Sequence, residues 1–230
     1  MAPQDNAPIL NAPVAVRWLV SITVVAHLVR VLATEKLDNT ILEVFGFMPA
    51  RFGLDGAGSI GLDGLLVMAV GHMFLHADWM HLVLNMAFLL AFGSAVGRRM
   101  GAIQFLLLYL LCGLAAAFFW AWLYPPQVAL LLGASGAISG MVGAAARVSI
   151  WPPHSGSALP FWRRSTVISF VVIWLALNIG FGIFPIFLSG DYGGVAWEAH
   201  LGGFIAGFLL IGVFDGRGRI EVVAPPYRFL

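Results

Sequence analysis

The chain has 230 residues, of which 60% are hydrophobic and 10% charged, with a formal net charge of +1 and a mean hydropathy of +0.93. Soluble domains carry about a quarter charged residues, so this composition excludes a soluble globular protein and a nucleic-acid binder and identifies a polytopic membrane protein. The single cysteine, Cys112, lies in an apolar run, which excludes an intrachain disulfide and points to packing rather than redox or thiolate–metal chemistry.

Residues 1–13 read as a polar, proline-spaced tail without the basic region of a signal peptide, and no soluble domain is expected at either end. A span needs roughly 20 apolar residues, and residues 14–33 supply the first, with Arg30 placed to snorkel near its end. His27 on this helix is read as a buried structural residue. Residues 34–70 form a connection too long for a simple linker. Their acidic residues, Pro49, several glycines and apolar residues such as Phe45, Phe47 and Met48 predict short helices lying partly in the membrane, with Arg51 toward headgroups.

From Gly71 the chain reads His72, His76, Asp78, His81 and Asn85 within fifteen residues, leading into a second span that ends near Val96. Ionisable and polar side chains at membrane depth are costly and face a functional interior. His81 and Asn85 are four apart and share one helix face. Residues 102–124 form the third span. The fourth starts at Ser135 and ends near Ile150. Sixteen residues cover only about 24 Å against a hydrocarbon core of about 30 Å. Ser135 is therefore expected below the membrane surface, after a connection buried in protein. Residues 151–164 read as a polar loop with His154 in solvent. Residues 165–187 form the fifth span, 189–194 a flexible connection, and the sixth span opens at Ala199-His200; residues 215–230 read as a polar tail.

Charge orients these spans. Arg17, Arg98, Arg99, Arg147, Arg163, Arg164, Arg217, Arg219 and Arg228 fall at one set of ends, and Arg30, Lys36 and Arg51 at the other. By the positive-inside rule both termini are cytoplasmic. The starts of spans two, four and six then share the outer side, which brings His81, Ser135 and His200 to one depth.

A serine hydroxyl becomes a nucleophile when a base takes its proton, and histidine is the usual base at neutral pH. Ser135 and His200 fit that pair, with Gly136, Gly140, Gly203 and Gly207 allowing spans four and six to approach closely. No carboxylate is placed as a third member, since Glu198 reads as a helix-start residue favoured by the dipole. A tetrahedral intermediate needs hydrogen-bond donors. The Ser135 N–H, at the positive end of the helix dipole, and the side chains of His81 and Asn85 supply them.

These residues resemble the rhomboid family of intramembrane serine proteases, through His72-x₃-His76-x₄-His81-x₃-Asn85, Gly133-Ala134-Ser135-Gly136 and Ala199-His200 followed by Gly203-x₃-Gly207. The resemblance implies an all-α bundle of six transmembrane helices over one membrane domain spanning residues 1–230. It implies Ser135 as nucleophile, His200 as general base, and His81, Asn85 and the Ser135 amide as oxyanion hole. His72, His76, Gly133, Gly136, Gly203 and Gly207 are implied as supporting residues, and transmembrane proteins as substrates cleaved near helix-destabilising sites without cofactor or metal. Ser139 departs from the aromatic residue that many members carry beneath the histidine, Gly97 stands where some have glutamate, and the first long loop lacks the family's Trp-Arg pair. The compact core predicts a bacterial inner membrane.

Two other readings differ in class. A metal held by His72, His76, His81 and His200 lacks the glutamate that a zincin helix places after its first histidine, since Met73 follows here. A non-catalytic protein, whether a channel, a transporter or a silent relative that binds transmembrane clients, would use the same polar residues to line a pathway, but no inverted repeat is evident.

Overall fold

The computed structural model describes residues 12–51, 60–123, 129–150, 161–183 and 196–215. Helices occupy each stretch predicted to span: α1 (Val14–Leu32), α4 (Trp79–Phe88) continued through a π turn (Leu89–Gly93) into α5 (Ser94–Gly97), α6 (Ala102–Leu123), α7 (Ser135–Ile150), α8 (Phe161–Ile183) and α9 (Trp197–Phe214). Four of these, Val14–Leu32, Trp79–Gly97, Ala102–Leu123 and Trp197–Phe214, are long and apolar enough to cross a membrane. The connection after α1 folds as α2 (Glu35–Phe45), a 3₁₀ turn (Pro49–Arg51), α3 (Leu62–Gly71) and a second 3₁₀ turn (His72–Phe74). Residues 151–160 of the predicted polar loop, with His154, the connection at 189–194, and residues 1–11 and 216–230 of the two predicted tails lie outside the described residues, whereas residues 161–164, read as the end of that loop, form the first turn of α8.

Local sequence explains the helix boundaries. Thr34 caps α2 through its hydroxyl and Asp78 caps α4 by accepting from the His81 N–H at 2.8 Å, each satisfying a donor that the first turn leaves open. The helices leave apolar side chains such as Trp18, Ile103, Trp122 and Val213 more than 60% exposed, the pattern of a surface solvated by lipid tails rather than water. Inside, α6, α7 and α9 form the centre, and small residues set their spacing. Gly136, Gly140, Gly143, Gly203 and Gly207 each sit where a Cβ would overlap a neighbouring helix, and a Cβ at Gly113 would overlap the Met73 side chain of the second 3₁₀ turn. Cys112 is fully buried and lies against Gly140, the packing role predicted for it.

Three basic or acidic residues behave differently from the sequence reading. Arg30 does not snorkel. It is buried, its guanidinium makes a bidentate pair with Asp38 at 2.6 and 3.1 Å, and its third arm donates to the His76 carbonyl at 2.8 Å. Arg51 has a partner that the sequence reading did not give it, donating to the Glu43 carbonyl in an exposed hydrogen bond. Asp215, read as the first residue of a tail, is buried and paired with Arg99 at 2.7 Å, joining the ends of α5 and α9. In each case a local sequence pattern showed a charge near a helix end but not its partner elsewhere in the chain.

Arg30 thereby ties α1 and α2 to the chain entering α4. Arg30→Ala leaves the Asp38 carboxylate and the His76 carbonyl without their donor, and removing one member of such a partly buried pair costs about 2–3 kcal/mol. Thermal unfolding in detergent should show that loss, with Asp38→Asn losing less because an amide still accepts.

Candidate active site

The connection before α7 is built into the protein. Phe47 and Leu131 exchange two backbone hydrogen bonds, of 3.1 and 2.9 Å, and Leu131 through Ala134 are buried. The Gly133 N–H then donates to the His72 carbonyl at 2.9 Å, while the His72 ring is bonded through Nδ1 to the Met68 carbonyl at 3.1 Å. His72 thus holds the loop through its backbone and fixes itself through its ring. Gly133 has φ +116°, a conformation that residues with a Cβ rarely adopt. A Cβ there would lie 2.7 Å from His81 Nε2 and 3.6 Å from Ser135 Oγ. The open side of Gly133 is therefore a shared space faced by the serine hydroxyl and by the His81 ring.

Ala134 accepts the first hydrogen bond of α7 from Ile138 at 3.0 Å, so the N–H groups of Ser135 and the two residues after it have no acceptor within the helix. They form the positive end of the α7 dipole. Ser135 is half-buried at that point, below a connection that is itself buried.

His81 and Asn85 lie on one face of α4. The Ala77 N–H donates to His81 Nδ1 at 3.4 Å, which assigns the ring proton to Nε2, the nitrogen facing Gly133. His81 is thus oriented as a donor into the shared space. Asn85 is buried and gives one amide N–H to the His81 carbonyl at 2.8 Å, leaving its second N–H. His76 is fully buried and meets the His81 ring edge-on at 4.9 Å. Burial, the neighbouring rings of His81 and His27, and the Arg30 guanidinium push its pKa down to about 3, so it packs as a neutral ring. His27 is buried and packs edge-on against Trp79 at 4.6 Å.

His200 reaches the site through the contact of α7 with α9. Cβ atoms at Gly203 and Gly207 would fall on the carbonyl oxygens of Gly136 and Gly140, while the Ala199 carbonyl faces Gly136. Position by position the two helices run parallel, so Ser135 at the start of α7 is level with the first turns of α9, where His200 is half-buried. Among the described residues no hydrogen bond joins Ser135 Oγ to His200; such bonds are often long in a resting site and tighten with substrate. His200 Nδ1 is bonded instead to Asn178 Oδ1 of α8 at 2.5 Å. Asn178 played no part in the sequence reading, although an amide inside an apolar helix was a signal that it had a partner.

The departures seen in the sequence have local explanations. The Ser139 hydroxyl donates to the Ser135 carbonyl one turn back at 2.7 Å, so it closes on its own helix. Gly97 packs against Pro13 and Phe105, with carbons 3.2 and 3.4 Å from the position of a Cβ, space that a glutamate would overfill. Among the described residues no three His, Cys, Asp or Glu side chains converge as a metal site.

A sequence model of the Rhomboid domain matches residues 64–216, which contain His72, His81, Asn85, Ser135, Asn178 and His200. The chain is similar to RHOMBOID-like protein 4 of Arabidopsis thaliana, at 29% identity over 79% of this chain and 42% of the relative. It is similar also to Rhomboid-like protein 11, chloroplastic, of the same plant, at 32% identity over 60% of this chain and 49% of the relative. Against the mitochondrial Rhomboid protein 1 of Saccharomyces cerevisiae the identity is 28%, over 62% of this chain and 40% of the relative. The chain spans about half the length, or less, of these relatives.

Proposed function

We propose that this chain, which belongs to the rhomboid family, is an intramembrane serine endopeptidase that hydrolyses peptide bonds in or near transmembrane segments of membrane proteins. The observation that carries the reading is the parallel α7–α9 contact, whose level starts bear Ser135 and His200. The Ser135 proton passes to His200 Nε2 as Oγ bonds to the scissile carbonyl carbon. The resulting oxyanion takes hydrogen bonds from the Ser135 N–H, His81 Nε2–H and Asn85. The intermediate collapses as His200 returns the proton to the departing amine. Water then attacks the acyl-enzyme, His200 taking its proton and giving it back to Oγ.

The four long apolar helices together with α7 and α8 make six spans in this reading, with both termini cytoplasmic by the arginine distribution. The lipid bilayer is the working environment, no cofactor takes part, and the expected location is a bacterial inner membrane. Relatives named as mitochondrial and chloroplastic make the membrane, rather than the compartment, the shared feature.

The test is cleavage of a single-span reporter in proteoliposomes by the parent chain, by Ser135→Ala and by chelator-treated parent. Loss in the variant together with chelator resistance is expected; cleavage that survives Ser135→Ala overturns the proposal. Within the same assay, His81→Ala and Asn85→Ala should each lower kcat by about 10²–10³-fold, the usual effect of deleting one oxyanion donor. KM should stay near the parent value, because these donors act on a charge that develops after binding.

A further inference from the structure

One stripe of α8 carries contacts to the π turn and to α9. Phe170 stacks on Phe92 of the π turn at 5.6 Å, Trp174 stacks on Phe204 of α9 at 5.5 Å, and Asn178 meets His200. Gly182 comes next, and a Cβ there would overlap the Trp197 indole. The spacing of four puts all these residues on one stripe, and Asn178 is the polar member.

Its amide can be assigned without ambiguity. Nδ2 donates to the Trp174 carbonyl one turn back, at 2.7 Å, a bond that Oδ1 could not make. The arm turned to His200 is therefore Oδ1, which only accepts. His200 Nδ1 must be the donor in their 2.5 Å hydrogen bond. A neutral imidazole carries one N–H, so Nε2 is left with its lone pair.

Resting on the Ser135–His200 reading above, we propose that Asn178 is the positioning residue of His200, holding the ring in the Nδ1–H tautomer and turning the basic Nε2 toward the serine. It takes the place that the sequence left without a carboxylate. When His200 accepts the serine proton, Nδ1–H becomes a charge-assisted donor to the same oxygen, so the contact strengthens during the reaction. A neutral amide does this without placing a second permanent charge inside an apolar helix. Ser139, turned back on its own helix, supplies no such constraint.

The test uses the full chain in proteoliposomes with the single-span reporter. Asn178→Leu keeps the branched shape of the side chain but removes the acceptor, and kcat should fall about 10- to 100-fold, less than the roughly 10⁴-fold known when a buried aspartate partner is lost, with KM within about two-fold. Asn178→Asp restores an acceptor and should recover most of that loss. Independently of any Asn178 variant, ¹⁵N spectra of histidine-labelled parent protein, with the His200 signal assigned by its absence in His200→Ala, should show the proton on Nδ1. An unchanged kcat in Asn178→Leu beside an inactive Ser135→Ala overturns the positioning role alone, as does a parent spectrum with the proton on Nε2. Activity that persists in Ser135→Ala overturns the dyad itself.

Discussion

Ser135→Ala and His200→Ala are each expected to lower reporter cleavage by about 10³-fold or more, and the double variant to fall no further than the weaker single one. The shared loss follows from chemistry: without a base the hydroxyl keeps its proton, and without the hydroxyl the base has nothing to activate. Each residue is therefore worth its full contribution only when the other is present, and additivity fails for groups acting as one unit. Labelling of Ser135 by a fluorophosphonate gives a second readout. It should vanish in Ser135→Ala and slow sharply in His200→Ala, since that reaction uses the same activated oxygen. Thermal unfolding of Ser135→Ala should stay close to the parent, because the side chain is only half-buried and no hydrogen bond of Ser135 Oγ is seen among the described residues, whereas His200→Ala should lose about 1–2 kcal/mol by leaving the Asn178 Oδ1 acceptor unpaired. Additive losses from the two substitutions would mean that serine and histidine work separately, against the dyad.

The residues of this proposed unit each left a local mark in the sequence. Ser135 stands at the start of a helix too short to span comfortably, His81 and Asn85 share a helix face, and the glycines of α7 and α9 repeat every four residues. Parallel approach of α7 and α9 followed from counting spans. Partners far along the chain left no such mark. The Gly133 N–H to His72 carbonyl bond, the Arg30–Asp38 pair with its reach to His76, and the Arg99–Asp215 pair all depend on tertiary placement that spacing does not encode. Asn178 falls between these cases. Its position four residues after Trp174 and four before Gly182 marks a packing stripe, but only the α8–α9 contact reveals that the stripe ends on His200. Polarity in an apolar helix announces a partner without naming it.

Gly207→Val should destabilise the protein by at least about 3 kcal/mol and remove cleavage with it. Side chains gain little over lipid by meeting one another, so helix association in a bilayer rests on close van der Waals fit and on backbones that approach directly. Here a Cβ at Gly207 would fall on the Gly140 carbonyl oxygen, and one at Gly203 on that of Gly136. Rotating a flexible side chain relieves neither collision, because the obstacle is the backbone of α7. The helices must part, and Ser135 and His200 part with them. Gly212 provides the control: nothing lies within 4 Å of its Cβ position, so Gly212→Ala should change stability by no more than about 0.5 kcal/mol while improving helix propensity. Thermal unfolding in detergent separates Gly207→Val from Gly212→Ala, and cleavage in proteoliposomes separates the two contact glycines. Gly203 is one turn from His200, so Gly203→Ala should cost more activity for a given loss of stability than Gly207→Ala. Equal melting of Gly207→Val and the parent would mean that α9 is held against α7 by something other than this contact. The shared level of the two helix starts would then lose its physical basis.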